Sequence, residues 1–152
     1  MATDLQLAIA HHLLIFILFG ILVSELVLVR KGMTGADTKR AAAIDLWYGI
    51  VAMLIVIAGF SRAIFAAKGW AYYSANWFFW AKIGVFVVIG LLSVWPTLKF
   101  IGWRKRFQTT GNCPNVTAIS SVRRVLWFEA ALFALLPAFA AAMARGLGNE
   151  VD

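Results

Sequence analysis

Residues 13–23 read LLIFILFGILV, an unbroken run of apolar residues and one glycine. A run with no alternation of polar and apolar residues favours a helix inside a bilayer over a strand of a membrane barrel. The charge-poor stretch around it extends from Leu5 to Val29. That length exceeds the roughly 20 residues that a helix needs to cross a hydrocarbon core about 30 Å thick. The stretch therefore predicts a transmembrane helix.

Three further stretches share this length and composition, at residues 41–67, 77–98 and 125–144. We predict an all-α fold, a single domain over residues 1–152 that forms an integral membrane, antiparallel four-helix bundle with helices at about 5–29, 41–67, 77–98 and 125–144. Pro96 is expected to help end the third helix. Pro137 is expected to kink the fourth, because proline lacks the amide hydrogen that bonds the carbonyl four residues earlier.

The overall composition points to the same class of protein. Hydrophobic residues make up 62% of the chain and charged residues only 14%, whereas soluble domains carry about a quarter of their residues as charges. The 12 Phe, 7 Trp and 3 Pro exclude a disordered or collagen-like chain. A single cysteine, Cys113, excludes a disulfide framework and a cysteine-rich metal site.

Lysine and arginine are divided unevenly among the connections between the predicted helices. The first and third connections carry Arg30, Lys31, Lys39, Arg40, Lys99, Arg104, Lys105, Arg106, Arg123 and Arg124, and the second carries Lys68 alone. By the positive-inside rule, we predict that the basic connections are cytoplasmic and that both termini face outward, which in a bacterial inner membrane is the periplasm. The same basic connections predict contact with anionic lipids at the cytoplasmic face rather than with nucleic acid.

Seven ionisable residues lie inside the predicted spans, where a charge at the bilayer centre costs about 3 kcal/mol. By depth they form an outer, basic layer and an inner layer of carboxylates. The outer layer comprises His11, His12, Arg62 and Lys82, and the inner layer comprises Glu25, Asp45 and Glu129. Such residues are expected either to pair with each other or to serve a function.

Each layer allows two interpretations. The inner carboxylates either fasten the helix ends by pairing with Arg30, Lys39, Arg123 or Arg124, or handle protons. The outer layer either binds an anionic group, such as propionates, a quinone oxygen or a lipid phosphate, or consists of cations that extend to the interface beside hydrogen-bonded histidines.

The two adjacent histidines limit the metal chemistry. Neighbouring residues on a helix point about 100° apart, so His11 and His12 cannot both ligate one iron. His11 lies within about 40° of the helical face of Glu25, so His11 is expected to face the interior if Glu25 does, and His12 to point sideways. If one of these histidines bound the iron of a haem, the second axial ligand of that iron would be water, Lys82, Met143 or a group from another subunit. A zinc site lacks enough ligands.

Short motifs in three of the predicted helices resemble motifs of known membrane-protein families. The first helix has Ala10-His11-His12 followed by Phe16, Phe19 and Gly20, the third has Trp77-Phe78-Phe79-Trp80-Ala81-Lys82, and the fourth has Trp127-Phe128-Glu129. With these motifs the chain resembles a group of small uncharacterised bacterial inner-membrane proteins with four helices. More distantly it is similar to HemJ-type protoporphyrinogen oxidases and to the membrane domain of copper-resistance D proteins.

The HemJ resemblance implies a haem b-binding membrane oxidoreductase that transfers electrons or oxidises a tetrapyrrole. It implies that His11 or His12 ligates the iron and that Arg62 and Lys82 bind propionates or an anionic substrate. Lys82, Glu25 and Glu129 are then the candidate catalytic residues, with the two glutamates handling protons. The alternative is a non-enzymatic module without a cofactor: a homo-oligomer, a subunit of a larger complex or a pathway for a small solute.

Overall fold

The structure, a computed structural model, describes residues 2–65 and 69–148, with side chains from residue 5 onward. Its helices are α1 (Ala2–Leu28), α2 (Gly35–Phe65), α3 (Gly69–Ser74), α4 (Trp77–Thr110), α5 (Val116–Phe133) and α6 (Leu135–Ala144). Four segments are long and apolar enough to cross a membrane: Leu5–Leu28, Gly35–Phe65, Trp77–Thr110 and Val116–Ala144, the last of which combines α5 and α6. The predicted all-α membrane bundle of four antiparallel segments is confirmed.

The four segments pack around a narrow apolar core. α1 packs against α2 and α5, and α4 packs against α2, α5 and α6. Leu22, Ile89, Phe100 and Leu126 are fully buried between the helices, while many other large apolar side chains lie on the outer surface, where lipid can cover them. We call the end of the bundle that carries α3 the α3 end, and the end that carries the α1–α2 and α4–α5 connections the basic end.

α2 begins six residues earlier than the sequence stretch at residue 41 indicates. Thr34 precedes the helix, and its Oγ1 accepts a hydrogen bond of 3.2 Å from the backbone N–H of Asp37. In return, Asp37 Oδ2 accepts from the backbone N–H of Thr34 at 2.9 Å. This reciprocal capping box stabilises a helix start outside the apolar stretch. At the other end the predicted Ala67 boundary and Lys68 lie outside the described residues.

α4 does not end near Pro96 as predicted. Pro96 is buried inside the helix, which continues for fourteen residues to Thr110. Its charged extension, Lys99 to Arg106, carries lysines and arginines that are exposed, so a helix can continue there without burying charge. The helix ends at Gly111, whose φ of 71° is left-handed and whose N–H bonds the carbonyl of Phe107 at 2.9 Å.

The fourth span begins nine residues before residue 125 and is interrupted. Asn115 caps α5 by accepting a hydrogen bond of 2.8 Å from the backbone N–H of Ala118. α5 and α6 are separated at Ala134, three residues before Pro137. Pro137 has no N–H to offer to the carbonyl of Phe133, so the predicted kink is present as a break between two helices. α1 covers Ala2–Leu28 rather than residues 5–29.

Candidate functional site

Three basic side chains from three helices meet near the α3 end. We call this group the histidine cluster: His11 from α1, Arg62 from α2 and Lys82 from α4 are all half-buried, and Arg62 and Lys82 both act electrostatically on His11. The ring of His11 lies against α2 at Gly59, where a β-carbon would be only 3.1 Å from the imidazole Cε1. Glycine at this position therefore makes room for the ring.

The histidine cluster contains buried polar atoms without a partner. Neither His11 Nδ1 nor Arg62 Nε has a hydrogen-bond partner. Lys82 Nζ lies 5.9 Å from the centroid of the Phe79 ring. Within the described part of the chain, no carboxylate forms an ion pair with Arg62 or Lys82. A cluster with this excess of positive charge and unpaired nitrogen suits an anionic group.

His12 does not belong to this cluster. Its side chain is exposed on the outside of α1, and its Nδ1 lies 2.7 Å from the carbonyl oxygen of Ala8. The rings of His11 and His12 are nearly perpendicular, with centroids 6.1 Å apart. The structure thus places His11 inward and His12 outward, as their spacing from Glu25 indicated.

The described residues contain no group of three or more histidine, cysteine, aspartate or glutamate side chains that could hold a metal ion. The histidine cluster itself contributes one imidazole and two cations. A metal bound there as a bare ion would lack ligands, whereas a metal carried within an anionic organic group would need only one or two axial ligands from the protein.

Carboxyl side chains from three helices meet nearer the basic end. Glu25 of α1, Asp45 of α2 and Glu129 of α5 are only 2%, 7% and 1% exposed. From α4, the hydroxyl of Thr97 donates a hydrogen bond of 2.8 Å to Asp45 Oδ1. All four membrane spans therefore contribute to this carboxyl cluster, which also includes Tyr48.

Sequence reasoning missed Tyr48 and Thr97 as members of the carboxyl cluster. Tyr48 lies three residues after Asp45 and hence on the same helical face, which is a signal that could have found it. Its side chain is 5% exposed, and its hydroxyl has no hydrogen-bond partner. Glu25 Oε1 and Glu129 Oε1 are also buried without a partner. The carboxyl cluster is thus rich in unpaired oxygen atoms.

One of the two interpretations of these carboxylates, pairing with basic residues, has no ion pair to support it among the residues that the structure describes. None of the three carboxylates forms an ion pair with any of the four basic residues proposed as partners, Arg30, Lys39, Arg123 and Arg124. Instead, Arg123 Nη1 donates to the carbonyl oxygens of Leu26 and Val29 at 2.6 and 2.8 Å. Lys39 Nζ lies 5.4 Å from the centroid of the Phe107 ring. Arginine satisfies open carbonyls at the end of α1, where cations are favoured.

Comparison with known proteins identifies the family. A family model described as "Predicted membrane protein (DUF2214)" matches residues 3–148. No curated protein and no solved structure matches the chain, and the more distant resemblances to HemJ-type oxidases and copper-resistance D proteins stay predictions. Since the matched region covers nearly the whole length and all four membrane spans, the chain belongs to the DUF2214 family of predicted membrane proteins.

Proposed function

We propose that this membrane protein binds an anionic amphiphile at the histidine cluster, and that the ligand is haem b. The observation that carries the proposal is the convergence of His11, Arg62 and Lys82 from three helices, with His11 Nδ1 and Arg62 Nε buried and unpaired. Burying such atoms without a partner costs about 1–3 kcal/mol each. A ligand that satisfies them recovers this free energy.

The donor set fits haem b. One imidazole can serve as an axial ligand, and the guanidinium and the ammonium group can each bind a propionate. His11 rather than His12 takes the axial role, because only His11 lies beside the two cations. A bound haem would supply one-electron chemistry, as an inner-membrane oxidoreductase that passes electrons or oxidises a tetrapyrrole would require.

The remaining roles fall to the residues of the two clusters. Arg62 and Lys82 orient the ligand by charge, and Gly59 leaves space for the imidazole that faces it. Lys82, Glu25 and Glu129 are the proposed catalytic residues. The unpaired Oε1 atoms of Glu25 and Glu129 are the positions at which the carboxyl cluster would hold exchangeable protons.

Absorption spectroscopy of the purified protein tests this proposal. Protein in detergent, supplied with haem b, is expected to show a Soret band that shifts on reduction with dithionite. His11→Ala should abolish the band, and His12→Ala, the same change one residue later on the outward face, should preserve it. A colourless protein after haem supplementation contradicts the proposal. A Soret band that survives His11→Ala contradicts the assignment of His11 as the residue that binds the iron.

A second candidate function is a non-enzymatic oligomeric membrane module without a cofactor. It is favoured by polar side chains that connect helices through backbone groups. Arg123 bonds the end of α1, and Asn76 Nδ2 donates to the carbonyl oxygen of Leu147 at 3.1 Å. In this interpretation the polar clusters fasten the bundle. A colourless protein that forms a stable homo-oligomer in native mass spectrometry would favour it.

A further inference from the structure

A groove of about 450 Å³ opens on the lipid-facing surface between α1 and α5. Phe19, Val23 and Val27 follow one another along α1 and form one wall, and Trp127 of α5 forms part of the other. These four side chains are between 40% and 63% exposed. We call this feature the α1–α5 groove.

The end of the α1–α5 groove that is farther from the basic end is lined by Phe19. The ring of Phe19 stacks on the ring of Phe133, with centroids 5.4 Å apart and an interplanar angle of 29°. Phe133 is only 3% exposed, so the stack is anchored in the core. An apolar chain that enters from the basic end therefore reaches an aromatic ring that is held in place by this stack.

The open end of the groove carries two arginines. Arg30 and Arg123 both line it, one just after α1 and one on α5. The hydrogen bonds from Arg123 Nη1 to the carbonyl oxygens of Leu26 and Val29 hold its guanidinium at this position. Arg30 is exposed and forms no ion pair within the described residues. The open end thus presents two cations, of which Arg30 also acts electrostatically on the carboxylate of Asp37 without forming an ion pair with it.

We propose that the α1–α5 groove binds an anionic phospholipid, with one acyl chain between α1 and α5 and the phosphate on Arg30 and Arg123. An unfilled groove forfeits dispersion contacts along its walls, so an apolar chain is favoured there. Arginine pairs bind phosphate with charge-assisted hydrogen bonds. This site goes beyond the proposed haem function, because it lies nearer the basic end whereas the histidine cluster lies near the α3 end.

Native mass spectrometry with defined lipids tests this site. The delipidated protein is incubated with dioleoyl-phosphatidylglycerol or with dioleoyl-phosphatidylcholine, which has the same chains and no net charge. The wild-type protein is expected to retain the anionic lipid preferentially. Arg30→Gln should weaken retention of phosphatidylglycerol about fivefold, which corresponds to the about 1 kcal/mol that one basic residue contributes at an anionic surface. Val23→Trp should reduce retention of both lipids by filling the groove.

Arg40→Gln is the matched control, because it removes the same charge from an exposed arginine that does not line the groove. It should retain phosphatidylglycerol as the wild type does. Equal retention of the two lipids by the wild type overturns the proposal, as do equal losses in Arg30→Gln and Arg40→Gln or unchanged retention in Val23→Trp. A dimer that Val23→Trp abolishes would identify a second copy of the chain as the occupant and also overturn it. Arg30 is exposed, so its variant tests the site even if Val23→Trp does not fold.

Discussion

Tyr48 is buried in an environment that lacks the hydrogen-bond partner its hydroxyl requires. Its phenol ring packs in the core of the bundle, while its hydroxyl is buried without a hydrogen-bond partner. A buried hydroxyl without a partner costs about 1–3 kcal/mol. Thr97, in the same carboxyl cluster, is the opposite case, because its hydroxyl donates to Asp45 Oδ1 at 2.8 Å. The unpaired hydroxyl of Tyr48 therefore destabilises the folded protein, whereas the hydrogen-bonded hydroxyl of Thr97 stabilises it.

Removal of the Tyr48 hydroxyl is expected to be neutral or stabilising. Tyr48→Phe keeps the buried ring and should raise the free energy of unfolding by up to about 1 kcal/mol, because it removes an unsatisfied polar atom. Thr97→Val should lower it by about 1–3 kcal/mol, because the carboxyl of Asp45 loses its donor. Equilibrium unfolding in mixed micelles measures both variants. Destabilisation of Tyr48→Phe by more than about 1 kcal/mol would mean that the hydroxyl has a partner.

At the scale of helices, Arg123 connects two spans that are distant in sequence. It lies on α5, and its Nη1 bonds the carbonyl oxygens of Leu26 and Val29 at the end of α1. The last carbonyls of a helix have no partner within it and carry partial negative charge. A half-buried guanidinium supplies both a donor and the complementary charge. Arg123 thus fixes the position of α1 relative to α5 at the basic end.

Loss of this connection should destabilise the bundle. Arg123→Gln is expected to lower the free energy of unfolding by about 2–3 kcal/mol, because hydrogen bonds from a charged donor contribute about 1.5–3 kcal/mol each. Arg124→Gln, an identical change at the next and exposed residue, should stay within about 0.5 kcal/mol of the wild type. Unfolding of the two variants in detergent, followed by circular dichroism, provides the comparison. Equal destabilisation by Arg123→Gln and Arg124→Gln would show that the loss of one positive charge, and not the loss of the hydrogen bonds to α1, lowers the free energy of unfolding.

The membrane spans could be predicted from the sequence, but their ends could not. Apolar length alone predicts a span, since the bilayer sets how much apolar helix it requires. Helix ends depend on local bonds: α2 starts at the Thr34–Asp37 capping box and α5 at Asn115. The sequence Thr34-Gly35-Ala36-Asp37 fits a capping box, but the length of an apolar stretch gives no information about it. Pro96 was misjudged, because a proline can be accommodated within a membrane helix packed among others.

The candidate site could be predicted only in part. Helical spacing favours His11 over His12 as the inward residue only if Glu25 faces the interior, and a rotational error of about 40° is large enough to exchange the two histidines. Spacing could not place Arg123 against the carbonyls of α1, since that contact depends on how α1 and α5 pack. Nor did sequence reasoning identify Tyr48, which lies three residues from Asp45 and within the core.

At the scale of the whole molecule, the distribution of charge follows the architecture. An even number of spans places the start of α1 and the end of α6 at the same end of the bundle. The lysines and arginines concentrate at the other end, in the α1–α2 connection, in the final turns of α4 and in the first turns of α5. Basic segments of this kind remain on the cytoplasmic side during insertion. The structure and the charge bias together predict one orientation, in which the basic end faces the cytoplasm and the α3 end faces the opposite side of the membrane.

Topology reporters check this orientation in a bacterial host. Alkaline phosphatase fused after the last residue should be active, because we expect that end to be periplasmic. The same enzyme fused after Asn112, in the α4–α5 connection, should be inactive, whereas a fluorescent protein that matures only in the cytoplasm should fluoresce there. The reverse pattern at both positions would mean that the basic connections are translocated.

The start of α4 has a consequence for the order in which the chain can assemble. Asn76 caps α4 by accepting from the backbone N–H of Phe78, and its Nδ2 donates to the carbonyl oxygen of Leu147. The backbone N–H of Trp77 donates to the carbonyl oxygen of Gly148 at 3.1 Å. Since Leu147 follows Asn76 by 71 residues, these contacts can form only after the ribosome has produced the whole segment from Asn76 to Gly148. Until that segment has been synthesised, the third span lies in the bilayer without the two hydrogen bonds from Asn76 and Trp77 to Leu147 and Gly148.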